Sequence, residues 1–140
     1  MSDPRPKPYV ADAGALIAYL RQEAGGGTVL ALLESDGVDV YAHGANLAEV
    51  FYDFRRSDGE AEAQRVMRDL EAVGIAFRED FGRLFWEDAA RIKADYRRVS
   101  LADCFGLALA RSAGGVFLST DHHELEAIHA AGVCTVEFIR

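Results

Sequence analysis

Short apolar runs alternate along the chain with longer segments in which apolar residues recur every three or four positions. The short runs are rich in β-branched and aromatic residues, which is typical of buried strands. They cover residues 9–11, 38–41, 74–77, 116–119 and 134–139. Strands that alternate with helices predict a parallel sheet covered on both faces, in one α/β domain of about five strands and about seven helices.

The longer segments carry their apolar residues on one helical face. In residues 46–54 this stripe consists of Leu47, Val50, Phe51 and Phe54. Residues 59–73 and 82–96 repeat the spacing, so each is expected to form an amphipathic helix. Residues 101–110 are apolar almost all round, which predicts a helix buried at the centre of the molecule.

Glycine-containing segments mark the expected breaks between these elements. Gly25-Gly26-Gly27 is expected to break the first helix, and Ser57-Asp58-Gly59 to separate two later ones. Gly114-Gly115 is expected to end the central helix just before a strand.

Length and composition indicate one globular domain, since the chain has 140 residues and half of them are apolar or aromatic. We expect a short Pro-rich leader at residues 1–7 and a single domain at residues 8–140. The longest apolar stretch, residues 13–20, is far shorter than the roughly 20 residues of a membrane-spanning helix, and the leader lacks the apolar segment of a secretory signal. Cys104 and Cys134 are too few for a disulfide framework and favour a cytoplasmic protein.

Four acidic residues stand where strands end and helices begin. They are Asp12 after the first strand, Glu49 early in the helix after the second, Asp103 at the start of the apolar helix and Asp121 after the fourth strand. In a parallel α/β sheet the carboxyl ends of the strands share one edge. The four carboxylates are therefore expected to gather at that edge.

Each acid also has an ordinary structural explanation. Asp12 and Asp121 fit as N-caps, and Ser100 with Asp103 has the spacing of a capping box. Glu49 gains from the dipole of its helix. Taken together, however, four clustered carboxylates repel one another, and Asp103 lies on a helix with almost no polar face, where an unneutralised carboxylate is costly.

The chain offers no nearby lysine to pair with such a cluster, since its only lysines are Lys7 and Lys93. A hard divalent cation is the simplest counter-charge, and ligands that are all oxygen favour Mg²⁺ or Mn²⁺ over zinc. Such a cation activates a water and orients a phosphodiester, which predicts hydrolysis of a phosphate ester. Gly25-Gly26-Gly27 lacks the Lys and Ser/Thr of a P-loop, which excludes nucleotide hydrolysis of that kind.

Four segments carry these acids along nearly the whole chain. They are YVADAGALIAYL at residues 9–20, NLAEV at 46–50, SLADCFGLALA at 100–110 and FLSTD at 117–121. In order and spacing these segments resemble those of the PIN-domain ribonucleases, and within them the VapC-like toxins of bacterial toxin–antitoxin pairs.

The resemblance implies a three-layer α/β/α PIN-like fold and a metal-dependent endoribonuclease that hydrolyses RNA phosphodiester bonds. It makes Asp12, Glu49, Asp103 and Asp121 the catalytic quartet that holds Mg²⁺ or Mn²⁺. Toxins of this family commonly form homodimers and are neutralised by a small antitoxin, so both partners are expected here.

Five further residues are expected to support the quartet or to contact RNA: Asn46, Ser100, Thr120, Arg97 and Arg98. Many relatives carry Ser or Thr within two residues of the first Asp, where Ala13 and Gly14 stand here, and Thr120 offers a hydroxyl from the other side. Arg97-Arg98 precedes Ser100 and is expected either to contact RNA phosphates or to stabilise a helix C-terminus.

The overall charge limits how RNA can be held. The chain has 15 basic and 23 acidic side chains and a net charge of −8, which argues against a broad basic surface for nucleic acid. A cation bound by the quartet reduces this objection. The balance favours a nuclease of modest, salt-sensitive affinity that selects a particular RNA shape.

Two other functions remain open on the residues alone. A PIN fold without activity would serve as a binding module. A receiver-type signalling domain is also acidic and doubly wound, but it requires an acidic pair at the first strand and a lysine late in the chain. Here Asp12 is unaccompanied and no lysine follows Lys93, which disfavours the receiver.

Overall fold

The computed structural model describes residues 6–140, in which five strands and seven helices alternate. The strands are β1 (Tyr9–Ala11), β2 (Val40–His43), β3 (Ala76–Arg78), β4 (Val116–Ser119) and β5 (Thr135–Phe138). The helices are α1 (Ala13–Leu20), α2 (Gly26–Leu33), α3 (Gly44–Asp58), α4 (Glu60–Ala72), α5 (Arg83–Asp95), α6 (Leu101–Ala113) and α7 (His122–Ala130). Residues 1–5 of the expected leader lie outside the described residues.

The strands pair in parallel in one sheet, in the order β3-β2-β1-β4-β5. The chain winds outward from the central β1 to β3 and then returns to form β4 on the other side of β1. Ligands of open α/β sheets bind at the carboxyl ends of the strands beside such a reversal. A receiver domain of the flavodoxin-like type has the order 2-1-3-4-5 instead, so the receiver alternative is wrong.

Neighbouring residues of the central strand send their side chains into opposite layers. Ala11 packs into a core built with α1 to α4, whereas Val10 packs into a core built with α5 to α7. Leu16 in the first core and Phe117 in the second are fully buried, and each burial stabilises the fold by about 1.5–3 kcal/mol. The expected three-layer α/β/α arrangement, with α6 at the centre, is confirmed.

Two strands lie slightly later in the chain than the apolar pattern predicts. β2 extends to His43, which pairs with Arg78 of β3, and its buried imidazole stacks with Phe85 and with Phe105 at 5.4 Å from each ring. β3 begins only at Ala76, because Gly74 has φ +102° and belongs to the preceding turn. Hydrophobicity alone therefore places both strands too early. His43 is polar although it belongs to β2, and Gly74 lies before the start of β3.

Gly25-Gly26-Gly27 begins α2 rather than breaking α1, so that prediction is wrong. Gly25 has φ +90°, and a Cβ on it would lie 2.6 Å from the Ile139 carbonyl oxygen. A Cβ on Gly26 would lie 2.5 Å from the Ala18 carbonyl oxygen of α1. The glycines therefore allow close packing of α2 against its neighbours. Gly59 alone separates α3 from α4, whereas Gly114 ends α6 in a left-handed conformation as expected.

The sequence led us to expect neither a membrane-spanning helix nor a disulfide framework. Within residues 6–140, no helix combines the length and the apolar character that crossing a membrane requires. Cys104 and Cys134 are buried and free, and burial raises the pKa of both thiols to about 11. Both residues pack as small, unreactive core side chains.

Candidate functional site

Asp12 lies directly after β1, at the winding reversal, and is 4% exposed. It caps α1, since one carboxylate oxygen, Oδ1, accepts a hydrogen bond of 2.8 Å from the Ala15 N–H. The other oxygen, Oδ2, accepts one of 2.5 Å from the hydroxyl of Ser119, the last residue of the adjacent β4. The cap explains why the residue is at a helix start, but it leaves a buried carboxylate without a cation.

Ser119 links Asp12 to Asp121. While its hydroxyl donates to Asp12, its Oγ accepts a hydrogen bond of 3.0 Å from the Asp121 N–H. The Asp121 carboxylate in turn caps α7 by accepting from the Glu124 N–H at 3.1 Å. Sequence reasoning passed over Ser119 in favour of Thr120. The available signal was a small hydroxyl residue at the end of a buried strand.

Asp103 is held from the other side by α3. The fully buried Asn46 donates from Nδ2 to Asp103 Oδ1 at 3.2 Å. Half of the predicted capping box forms, because Ser100 Oγ accepts from the Asp103 N–H at 3.1 Å. The Asp103 carboxylate bonds to Asn46 instead of returning to Ser100. The contact joins α3, which also carries the half-buried Glu49 one turn later, to the start of α6.

Burial and neighbouring carboxylates raise the pKa values of Asp12 and Asp103. Burial is the main reason that the pKa of Asp12 rises to about 6, and the charges of Glu49 and Asp121 act in the same direction, against the Ser119 and Ala15 hydrogen bonds. Burial, followed by the charges of the other three acids, raises the pKa of Asp103 to about 7. Burial also raises the pKa of Glu49. The four acids are therefore electrostatically coupled across the edge of the sheet.

The arginines and lysines of the described residues form no ion pair with these acids. Among the ion pairs of residues 6–140, none includes one of the four coupled acids; Arg21, for example, pairs with Asp53 at 3.1 Å. The Lys93 ammonium donates to the carbonyl oxygens of Arg97 and Val99. The negative charge at the sheet edge thus has no counter-charge among the ion pairs of residues 6–140.

Whether a metal fits these residues depends on donor chemistry and on geometry. Carboxylate oxygens without a cationic partner are the donors that Mg²⁺ and Mn²⁺ prefer. Within residues 6–140, no three His, Cys, Asp or Glu side chains already stand close enough to enclose an ion. Mg²⁺ usually keeps several waters and takes only one or two carboxylates. The donor set therefore fits such an ion without a preformed protein cage.

The remaining expected residues lie around this edge in different environments. Arg97 and Arg98 are exposed in the connection between α5 and α6, beyond the end of α5 at Asp95. Thr120 is partly exposed, and its hydroxyl lies against Gly14 in the first turn of α1.

His43 is a second residue that sequence reasoning missed. Its Nδ1 accepts from the Ala45 N–H at 3.0 Å and caps α3, while Nε2 lies 2.9 Å from the carbonyl oxygen of Asp80 and donates to it. Its ring stacks on Phe85 of α5 and Phe105 of α6. His43 therefore connects the helix that carries Glu49 with the helix that carries Asp103. Histidine is an uncommon N-cap, so the pattern gave no signal.

Solved structures of toxin–antitoxin proteins share this fold. VapBC2 of Rickettsia felis, bound to a DNA fragment from its promoter, matches with a TM-score of 0.71 and 14% identity over 94% of this chain and 98% of that chain. DNA-bound VapBC of Salmonella typhimurium matches with a TM-score of 0.70 and 15% identity over 96% and 99%. VapC20 of Mycobacterium tuberculosis, a toxin that cleaves the sarcin–ricin loop, matches with a TM-score of 0.65 and 20% identity over 86% and 94%.

Sequence comparisons give the family. A comparison with curated proteins finds no match. The family model of the PIN domain matches residues 9–129, which include all four coupled acids and every strand except β5. The chain therefore belongs to the PIN domain family.

Proposed function

We propose that the protein is a Mg²⁺- or Mn²⁺-dependent endoribonuclease and the toxin of a toxin–antitoxin pair. The observation that carries this proposal is the set of electrostatically coupled carboxylates at the winding reversal, without a cationic partner among the described residues. Membership of the PIN domain family supports the same chemistry.

Each residue has a defined part in this proposal. Asp12, Glu49, Asp103 and Asp121 hold the cation, which when bound supplies an activated water and stabilises charge on the phosphodiester. Ser119 fixes the Asp12 carboxylate and the backbone at Asp121. Asn46 orients Asp103, and Ser100 holds the first turn of α6 in place. Arg97 and Arg98 are exposed cations suited to RNA phosphates.

RNA as substrate and a small antitoxin as partner are supported by the structural neighbours. Two of them are VapBC complexes, and a third is a toxin that cleaves the sarcin–ricin loop. A homodimer is supported by exposed apolar side chains near the start of α6. Leu101 and Phe81 are exposed, and Phe81 contacts Phe105, which lies one helical turn after Leu101. Residues 8–140 are proposed to form the single nuclease domain of a cytoplasmic protein, in keeping with one sheet and two free thiols.

Chelation and one acid variant test the nuclease. Purified protein is expected to cleave RNA in Mg²⁺ or Mn²⁺, to stop in excess chelator and to recover when the cation is restored. Asp12→Asn is expected to abolish cleavage while the protein stays folded, as judged by circular dichroism. Full cleavage in excess chelator, or by the folded Asp12→Asn variant, would exclude the mechanism.

A PIN-fold binding module without activity is the second candidate. It is favoured by one observation, namely that no three acids of residues 6–140 already enclose a metal position. This alternative predicts that Mn²⁺ neither stabilises the protein nor supports cleavage of any RNA. Calorimetric titration with Mn²⁺ separates the two, because the nuclease requires a saturable site that Asp103→Asn weakens.

A further inference from the structure

Gly14 and Thr120 compete for one space beside Asp12. A Cβ on Gly14 would lie 2.5 Å from Thr120 Oγ1 and 3.5 Å from Asp12 Oδ1. Real Cβ atoms do not approach other atoms within 3.0 Å, so a side chain at position 14 would displace the threonine hydroxyl. Gly14 is not in a left-handed conformation, and the glycine is therefore required by this neighbour and not by its own backbone.

The hydroxyl of Thr120 has no hydrogen-bond partner among the residues that the structure describes. The neighbouring hydrogen bonds are made by Asp12, Ser119 and Asp121, and none of those within residues 6–140 includes Thr120 Oγ1. Its residue is partly exposed, whereas Ser119 beside it is fully buried. The Ser119 hydroxyl thus joins Asp12 to Asp121, and the hydroxyl of the next residue, Thr120, lies against Gly14 at the same edge.

A phosphodiester at this edge needs such a donor. Phosphate oxygens accept hydrogen bonds, and the carboxylates around them, when ionised, can only accept as well. A hydroxyl carries no charge. It can therefore donate a hydrogen bond to the phosphate without changing the net charge of the site. Hydrogen bonds to charged groups are also stronger than those between neutral groups.

We propose that Thr120 Oγ1 donates a hydrogen bond to a non-bridging phosphate oxygen of the RNA, and that Gly14 is glycine because that hydroxyl occupies its side-chain space. This inference rests on the proposed nuclease function. Thr120 and Gly14 then act together. Thr120, in the β4–α7 connection, supplies the donor, and Gly14 in α1 leaves room for it because it has no side chain.

Two variants of Thr120 test the hydroxyl. The substrate is a mixed-sequence RNA oligonucleotide that fluoresces on cleavage in Mn²⁺, and binding is measured with the same oligonucleotide in excess chelator, where no cleavage is expected. Thr120→Val, which keeps the shape, is expected to lower kcat/KM and affinity by about 10- to 100-fold. Thr120→Ser, which keeps the hydroxyl, is expected to stay within about threefold of the wild type. Thr120→Val with wild-type affinity and kcat/KM would overturn the proposal.

The second part of the proposal, that the Thr120 hydroxyl occupies the side-chain space of Gly14, is tested by thermal stability alone. Gly14→Ser is expected to lower Tm by at least about 3 °C, because it overpacks the space. The double variant Gly14→Ser/Thr120→Ala is expected to recover at least half of that loss. Gly27→Ser is the matched control, since Gly27 is also the second residue of a helix but a Cβ there meets nothing within 4 Å. Equal losses in the single and double variants would refute the shared space.

Failure of this inference differs from failure of the nuclease. If the wild type binds the oligonucleotide but never cleaves RNA, the proposed function is wrong, and the affinity ratio of Thr120→Val to Thr120→Ser still decides the role of Thr120. If the wild type does not bind the oligonucleotide, the assignment of a phosphate donor is wrong too.

Discussion

The surface of α4 and the carboxyl edge of the sheet use the same acidic side chains in opposite ways. On α4, Arg65 forms ion pairs with Glu62 and Asp69, and its hydrogen bond lowers the pKa of Glu62. At the sheet edge, burial and like charges raise the pKa values of Asp12 and Asp103. The difference lies in the neighbours, since no arginine of the described residues forms an ion pair with the acids at the edge.

Sequence distance explains why the two regions differ. The acids of α4 lie three and four residues from Arg65, a spacing that brings helical side chains together. The acids of the sheet edge come from positions 12 to 121 and reach the same edge only when the sheet forms. Acids brought to one edge against their own repulsion cost stability and therefore point to function, whereas the pairs on α4 point to an ordinary solvated surface.

The largest expected effect comes from neutralising one acid at the edge. Asp103→Asn is expected to reduce RNA cleavage by at least about 10²-fold, because even residues that only orient metal ligands account for 10- to 100-fold. Asp69→Asn on α4 is the matched control and is expected to leave cleavage unchanged. Initial rates at saturating Mn²⁺ measure both. Equal losses of cleavage in the two variants would show that the acids at the sheet edge matter no more for cleavage than those on α4.

A divalent cation is expected to stabilise the wild type but not a variant with a weakened site. Binding to the folded state alone stabilises by about 2.7 kcal/mol at 100 times Kd. Thermal unfolding at increasing Mn²⁺ measures this, and Asp103→Asn is expected to show a much smaller rise in Tm. A rise of the same size in Asp103→Asn would indicate that the ion binds elsewhere.

The metal-free protein is expected to lose stability as the pH rises. The pKa values of Asp12 and Asp103, about 6 and about 7 in the folded state, exceed the ordinary value of 3.8. The folded state therefore holds more protons, and this contribution is fully present below pH 3.8 and lost through pH 6–7. Urea unfolding at about pH 6 and about pH 8 is expected to differ by about 2 kcal/mol.

Asp103→Asn provides the control for this pH effect, because it removes one of the two groups responsible. The variant is expected to show a smaller difference between the two pH values and to be more stable than the wild type at the higher one without metal. Identical pH profiles of the two proteins would contradict the coupling of the acids.

The smallest effect is expected on α4. Arg65→Ala removes both ion pairs of an exposed arginine, and exposed pairs contribute little because water screens them. Tm is expected to fall by at most about 2 °C, with cleavage unchanged. A fall as large as that of Gly14→Ser would show that the surface pairs carry more of the stability than their exposure allows.

Local signals explain most of what was predicted correctly from the sequence. The caps at Asp12 and Asp121, the glycine that ends α6 and the apolar stripes depend on residues a few positions apart, so pattern and structure agree. The errors have long-range causes. Gly25 and Gly26 are required by contacts with Ile139 and Ala18, which no local pattern contains.

The candidate site divides in the same way. The four acids were recognisable because each stands at a strand end or helix start, and the topology of a parallel sheet brings such positions to one edge. Ser119 and His43 were not recognisable, since their importance lies in partners far along the chain: Asp12 for one, and Phe85 with Phe105 for the other.

By itself, the sequence determined the alternation of strands and helices, the two-sided burial of the sheet and the excess of acids at the strand ends. Only the tertiary structure decided which acids lack a cation, which hydroxyl holds Asp12 and which hydroxyl remains free beside Gly14. The physical reason is that hydrophobic periodicity and capping act over a few residues, whereas desolvation, charge coupling and steric exclusion depend on side chains that folding brings together.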